Sequence, residues 1–96
     1  MICHITENAA GRLQSILEQQ EDKELKVRVF VAYADEKEER FGLGLDVKKK
    51  NDDLVVTKSG IVVLMDHKEK FLNGVEIDYN SSEDKWVITK RLQVEF

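Results

Sequence analysis

Two periodicities divide the chain. Between Thr6 and Gln19 the apolar residues fall at Ala9, Ala10, Leu13, Ile16 and Leu17, spacing that gathers them on one face of a helix. Thr6 is a good N-cap for it, and Glu7 puts a negative charge in the first turn, where the helix dipole favours one. Gly11 weakens this helix by about 1 kcal/mol relative to alanine, and the polar run Gln19 to Glu24 ends it. Ahead of it, Ile2 to Ile5 reads as a short strand. From Leu25 the period is two. Leu25, Val27, Val29, Val31 and Tyr33 share one face, and Lys26, Arg28, Phe30, Ala32 and Ala34 the other, the pattern of a strand with one well-buried face. Asp35 to Arg40 is a charged loop without an apolar residue, and Phe41, Leu43, Leu45 and Val47 then alternate with Gly42, Gly44, Asp46 and Lys48. The loop is short enough to make these two strands a hairpin.

The second half continues the pattern. Lys48 to Asp53 reads as a polar turn, Leu54 to Thr57 as a short strand, and Ser59-Gly60 as another turn. Ile61 to Met65 is wholly apolar, as a strand covered on both faces would be. Asp66 and Glu69 have capping-box spacing, which predicts a helix of one or two turns with Phe71 and Leu72 inward, halted by Asn73-Gly74. Val75, Ile77 and Tyr79 form the next alternating strand, Asn80 to Lys85 a turn, and Trp86 to Phe96 one or two more strands. The expectation is a mainly β chain with one N-terminal helix and one short internal helix. Tyr33, Tyr79, Trp86 and Phe96 are expected to build its core.

Composition narrows what such a chain does. With 96 residues, 42% apolar and 35% charged, it has the makings of one modest core and is read as a single domain over 1–96. No apolar run approaches the ~18–20 residues of a membrane span. The N-terminus lacks a signal-peptide layout, so a cytoplasmic protein is expected. A net charge of −4 gives no general attraction to nucleic acid or anionic membrane. Lys48, Lys49 and Lys50 are offset at once by Asp52 and Asp53. One cysteine excludes an internal disulfide and a cysteine-only metal cage within one chain. Cys3 and His4 are adjacent on a strand and so point to opposite faces, and His67 reads as a surface residue at the start of the short helix.

The order of segments resembles a known family. Ile5-Thr6-Glu7-Asn8-Ala9-Ala10 with Arg12-Leu13, Leu25-Lys26-Val27-Arg28-Val29, and Phe41-Gly42-Leu43-Gly44-Leu45-Asp46 are similar to the first half of HesB/IscA-type iron–sulfur cluster biosynthesis domains. Gly60 to Asp66 and Phe71 to Tyr79 resemble the second half, the strongest piece being Leu-x-Gly-x-x-Ile-Asp-Tyr at Leu72 to Tyr79. Each piece is a weak motif, and their collinearity over almost the whole chain makes the match. The resemblance implies a β-rich pseudo-barrel or sandwich of mixed strands behind an N-terminal helix. It also implies a member that holds iron or a cluster through one cysteine in a Gly-rich loop after the first long strand, and through a Cys-x-Cys pair near the C-terminus.

Those cysteines are not here. The loop position falls near Asp35 or Glu36, within Asp35-Glu36-Lys37-Glu38-Glu39-Arg40, and the C-terminal stretch reads Lys90-Arg91-Leu92-Gln93-Val94-Glu95-Phe96. Clusters are held by soft thiolates, usually four. One cysteine per chain supplies at most two in a symmetric dimer, and Cys3 sits on the first strand instead. The expectation is a divergent member that keeps the scaffold, binds no stable cluster and carries no cofactor. It works as an accessory or by protein contact, with cluster-assembly proteins as partners. The expected contact surface is Asp35, Glu36, Glu38, Glu39 and Arg40 with Gly42 and Gly44, since glycines on a strand admit close approach. The alternative is a small-ligand or hard-cation binder that uses the carboxylates of loop 35–40. No enzyme is expected: Ser59, Ser81 and Ser82 lie in turns with no histidine near in sequence, and no nucleophile, phosphate or dinucleotide motif is present. Monomer and homodimer both stay open.

Overall fold

The computed structural model describes residues 1–90. Strand β1 (Cys3–Ile5) leads into helix α1 (Glu7–Glu18), followed by β2 (Lys26–Ala34), β3 (Glu39–Asp46), β4 (Asp52–Val56) and β5 (Val62–Asp66). A 3₁₀ turn at Lys70–Leu72 precedes β6 (Val75–Asn80) and β7 (Lys85–Lys90). The strands form two sheets, ordered β1-β6-β7 and β3-β2-β5-β4. Both are mixed, because β1 runs parallel to β6 and β2 parallel to β5 while the other pairs are antiparallel. This is the mainly β chain with one N-terminal helix that the periodicities predict, in the mixed-strand sandwich that the resemblance implies. Neither sheet closes into a barrel.

The core joins both sheets to the helix. Val27 and Val29 of β2, Val63 and Met65 of β5, Val75, Ile77 and Tyr79 of β6, and Ala9 and Leu13 of α1 are buried in one cluster with Cys3 and Leu72. Thr6 fixes how the helix enters it. Its Oγ1 accepts from the Ala9 N–H at 3.3 Å as the N-cap, and donates to Asp78 Oδ1 at 2.6 Å. Its own N–H donates to the Ile77 carbonyl at 3.0 Å. The cap therefore satisfies one orphan amide of the helix and at the same time ties the helix to β6.

Several expectations are corrected. The register of β2 against β3 slips between Val31 and Tyr33. The bulge turns Tyr33 away from the core, so that it is 49% exposed. Glu39 and Arg40 belong to β3, paired with Ala34 and Tyr33, so the loop is only 35–38. Asp66 ends β5 instead of opening a helix. Its Oδ1 accepts from the Lys68 N–H at 2.9 Å and its carbonyl from the Glu69 N–H at 3.0 Å, a turn in place of a capping box, with His67 exposed in it. The helical element after this turn is a three-residue 3₁₀ turn, too short for two adjacent side chains to face inward. Leu72 is buried and Phe71 is 49% exposed. Trp86 is half-buried and tilts against Tyr79, ring centroids 4.7 Å apart. Phe96, and any strand past Lys90, lie outside the described residues.

The connection 47–51 also departs from a simple turn. It must carry the chain from β3, at one edge of its sheet, to β4, at the other. It crosses on the face opposite the core, where Arg28 stands. Arg28 Nε donates to Asp46 Oδ2 at 2.9 Å, Nη1 to Asp52 Oδ1 at 2.7 Å, and Nη2 to Asp52 Oδ2 and to the Val47 carbonyl at 3.4 Å. The guanidinium thus holds both ends of the crossing. Leu64, the register partner of Arg28 on β5, is fully buried there although it lies apart from the central cluster. Asp52, expected in a polar turn, is a buried strand residue.

Candidate functional site

The β2–β3 tip is built around Asp35. Its Oδ1 accepts from the Lys37 and Glu38 N–H groups, each at 2.8 Å, and its N–H donates to the Glu38 carbonyl at 2.9 Å. Tyr33 Oη donates to Asp35 Oδ2 at 2.7 Å. Those bonds, that from Tyr33 foremost, hold the Asp35 carboxyl below the usual carboxylate range, and the same bond pushes the Tyr33 hydroxyl up. Arg40 closes the tip: Nη2 meets Glu38 Oε1 at 3.2 Å, and the guanidinium sits 6.0 Å from the Tyr33 ring centroid. The bulge that removed Tyr33 from the core placed it here, a role that alternation alone did not reveal.

The tip faces the end of β7 across an open groove of about 390 Å3. Asp35 to Glu39 and Phe41 line one side, and Ile88, Thr89 and Lys90 the other. The sequence pattern gave no sign of this second wall, because it is contributed by residues some fifty positions along the chain. Lys90 Nζ also stands 5.9 Å from the Phe71 ring centroid, which accounts for an aromatic at the surface.

The expected contact residues therefore divide. Asp35, Glu36, Glu38 and Glu39 line the groove together. Arg40 turns to Glu38 and Tyr33. Gly42 pairs with Phe30, whose ring lies where a Cβ on Gly42 would stand, so the close approach it permits is taken by the chain's own side chain. Gly44 borders a separate apolar recess of about 160 Å3 with Leu13, Ile16, Leu43, Leu45 and Trp86.

Chemically, the groove offers carboxylates, the Thr89 hydroxyl and the ammonium groups of Lys37 and Lys90, groups suited to hard ions or to a charged protein surface and not to thiophilic iron. The sulfur is elsewhere. Cys3 lies on the edge strand of the other sheet, 6% exposed, and burial pushes its thiol up to about 12. A thiol that stays protonated is a poor metal ligand. His4, its neighbour, is half-buried on the opposite face. Among the described residues no three His, Cys, Asp or Glu side chains stand together in a way that would hold a metal ion. The residues present do not fit a cluster held in place by this chain alone.

A β-rich two-sheet sandwich, helix first, sets the β2–β3 loop that the HesB/IscA resemblance marks beside Ile88, Thr89 and Lys90 of the last described strand. Residues 1–93 match the family described as Iron-sulphur cluster biosynthesis. The chain belongs to this iron–sulfur cluster biosynthesis family. It is 34% identical over 80 residues to a putative iron-sulfur cluster insertion protein ErpA of Nitrosospira multiformis, covering 82% of this chain and 63% of that protein. It is 37% identical over 86 residues to iron-sulfur cluster insertion protein ErpA 2 of Methylococcus capsulatus, covering 86% of this chain and 66% of that one. A putative ErpA of Ralstonia pickettii is 35% identical over 75 residues, 77% of this chain and 60% of its own length. In each of these the chain spans under two thirds of the relative. Among the described residues no helix is long and apolar enough to cross a membrane.

Proposed function

We propose that this protein serves iron–sulfur metabolism by contact with a cluster-assembly protein, without itself holding a stable cluster and without enzymatic activity. One observation carries the reading. The groove between the β2–β3 tip and the end of β7 presents Asp35, Glu36, Glu38 and Glu39 with Lys37 and Lys90, while the thiol of Cys3 is buried on another sheet, where burial pushes it up to about 12. The relatives' names, cluster insertion proteins, supply the setting. The carboxylates of the tip are the recognition surface, with Arg40 and Tyr33 keeping the tip in shape. Binding of a hard cation there is the weaker reading. Asp35 already accepts three hydrogen bonds, and Glu38 already pairs with Arg40, so an ion would have to break contacts that shape the loop.

Anaerobic reconstitution with iron and sulfide tests the first half. The expected product is colourless, with iron and acid-labile sulfide far below one per chain. A brown protein with stoichiometric iron and sulfide overturns the reading. Calorimetric titration against a purified cluster-carrying scaffold protein tests the second half. Binding that Glu36→Lys with Glu38→Lys weakens by at least about tenfold supports docking through the tip, and binding indifferent to both rejects it.

A further inference from the structure

Asn73 and Gly74 form the one Asn-Gly step in the chain. Such a step is chemically labile wherever the backbone is free, because glycine has no Cβ to keep its nitrogen away from the preceding side-chain amide. Here the backbone is held. Asn73 lies at φ −63° and ψ 123°, and Gly74 at φ 87°, as in a type II turn. At that ψ the Gly74 nitrogen is turned well away from the Asn73 Cβ, and a five-membered ring cannot close until the peptide swings about the Cα–C bond. Two bonds from the start of the chain oppose the swing. The Gly74 N–H donates to the Ile2 carbonyl at 2.8 Å, and the Ile2 N–H donates to Asn73 Oδ1 at 2.8 Å. The nitrogen that would attack and the amide it would attack are thus tied to the same residue. Asn73 is exposed, so water reaches it. Next to Ile2, β1 is an outer strand of three residues that pairs, among the described residues, with β6 only. A short terminal edge strand opens more readily than the whole fold.

We propose that Asn73 is a modification site governed by β1: it deamidates when the first strand lifts from β6, and the isoaspartate product keeps that strand from returning. Once the bonds to Ile2 are gone, the Gly74 nitrogen attacks Asn73 Cγ and gives its proton to solvent. A new C–N bond forms, the bond from Cγ to the side-chain nitrogen breaks, and ammonia leaves a cyclic imide. Water then opens the ring at either carbonyl. Opening at Cγ gives aspartate, with an ordinary backbone and an acceptor oxygen still facing Ile2. Opening at the main-chain carbonyl gives isoaspartate, whose backbone runs through Cβ and Cγ and is one atom longer. The Gly74 amide and the acceptor at 73 then no longer match the spacing of the Ile2 carbonyl and N–H. Cys3, beside Ile2 and buried in the native core, leaves with the strand and meets solvent.

Ageing the full chain at mildly alkaline pH tests it, with tandem mass spectrometry of the peptide that carries Asn73 and alkylation of Cys3 on the same samples. The folded chain is expected to deamidate at least about tenfold more slowly than the chain unfolded in guanidinium. In the aged folded sample, Cys3 alkylation is expected to rise in step with the isoaspartate fraction. Ile2→Pro deletes the amide that holds Asn73 Oδ1, and should deamidate faster than wild type while circular dichroism stays the same. Asn73→Asp, the product with an ordinary backbone, should keep Cys3 as protected as in fresh wild type. Equal rates in the folded and unfolded chain overturn the proposal. So does isoaspartyl protein whose Cys3 stays protected, or a folded Ile2→Pro chain that deamidates no faster than wild type.

Discussion

Arg28 and Asp52 lie 24 residues apart and meet fork to fork, Nη1 donating to Oδ1 at 2.7 Å and Nη2 to Oδ2. The Asp52 side chain is 2% exposed and that of Arg28 14%. The pair spans the crossing between β3 and β4 and seals Leu64 beneath it. Removing the guanidinium strands a buried carboxylate, which typically costs about 3–5 kcal/mol. Arg28→Met is therefore expected to lower Tm by roughly 12–40 °C for a chain of this size. A loss of only a degree or two on thermal denaturation would show that the crossing is held by something else.

The same pair sets an acid limit. The bonds from Arg28, foremost, and the Lys49 amide hold the Asp52 carboxyl below its ordinary value against the opposing effect of burial. A carboxyl depressed in the folded state contributes fully above its unfolded value of about 3.9, and the contribution disappears as pH falls through the lower folded value. Unfolding free energy should thus be level from pH 7 to about 5 and decline below about 4. In Arg28→Met, burial acts on Asp52 with its main opponent gone and the Lys49 amide left, and the acid decline should shrink. Urea titrations at several pH values distinguish the two curves.

Phe30 and Gly42 make a second testable pair. A Cβ at Gly42 would occupy the space of the Phe30 ring, whereas one at Gly44 would meet nothing. Gly44→Ala should stabilise by about 0.5 kcal/mol through the unfolded chain. Gly42→Ala should destabilise by about 1 kcal/mol, because the ring must move. In a Phe30→Ala background the Gly42 penalty should vanish. A double-mutant cycle with no coupling between the two positions contradicts the geometry.

Cys3 supplies the fourth. Buried, with its thiol pushed up to about 12, it should resist alkylation at pH 8 by at least about a hundredfold relative to the guanidinium-unfolded chain. Rapid labelling of native protein, detected by mass spectrometry, would show that β1 opens far more readily than its place in the core allows.

How much of the fold could be read from the sequence depends on the range of the forces involved. The Thr6 cap, the β2–β3 hairpin and the buried run at Val63 to Met65 were legible because neighbours within a few residues decide them. Tyr33 and Phe71 were misplaced for a local reason of another kind: a bulge and a 3₁₀ turn each break the period on which the reading relied. Asp52 looked like a turn residue because its partner stands 24 positions away. The same holds at the groove. The carboxylates of the tip were visible as a run, but the wall of Ile88, Thr89 and Lys90 that makes them one side of a cleft depends on how the two sheets meet. No spacing along the chain records that.

The crossing at 47–51 orders events in time. The hairpins β2–β3 and β4–β5 each close over a few residues and can form early and independently. They become one sheet only when β5 docks alongside β2 in parallel, a pairing that brings together residues more than thirty positions apart. Arg28 reaches Asp52 at that moment and no sooner. The guanidinium is therefore a latch on the union of two local units, set late in folding and silent in both units before they join.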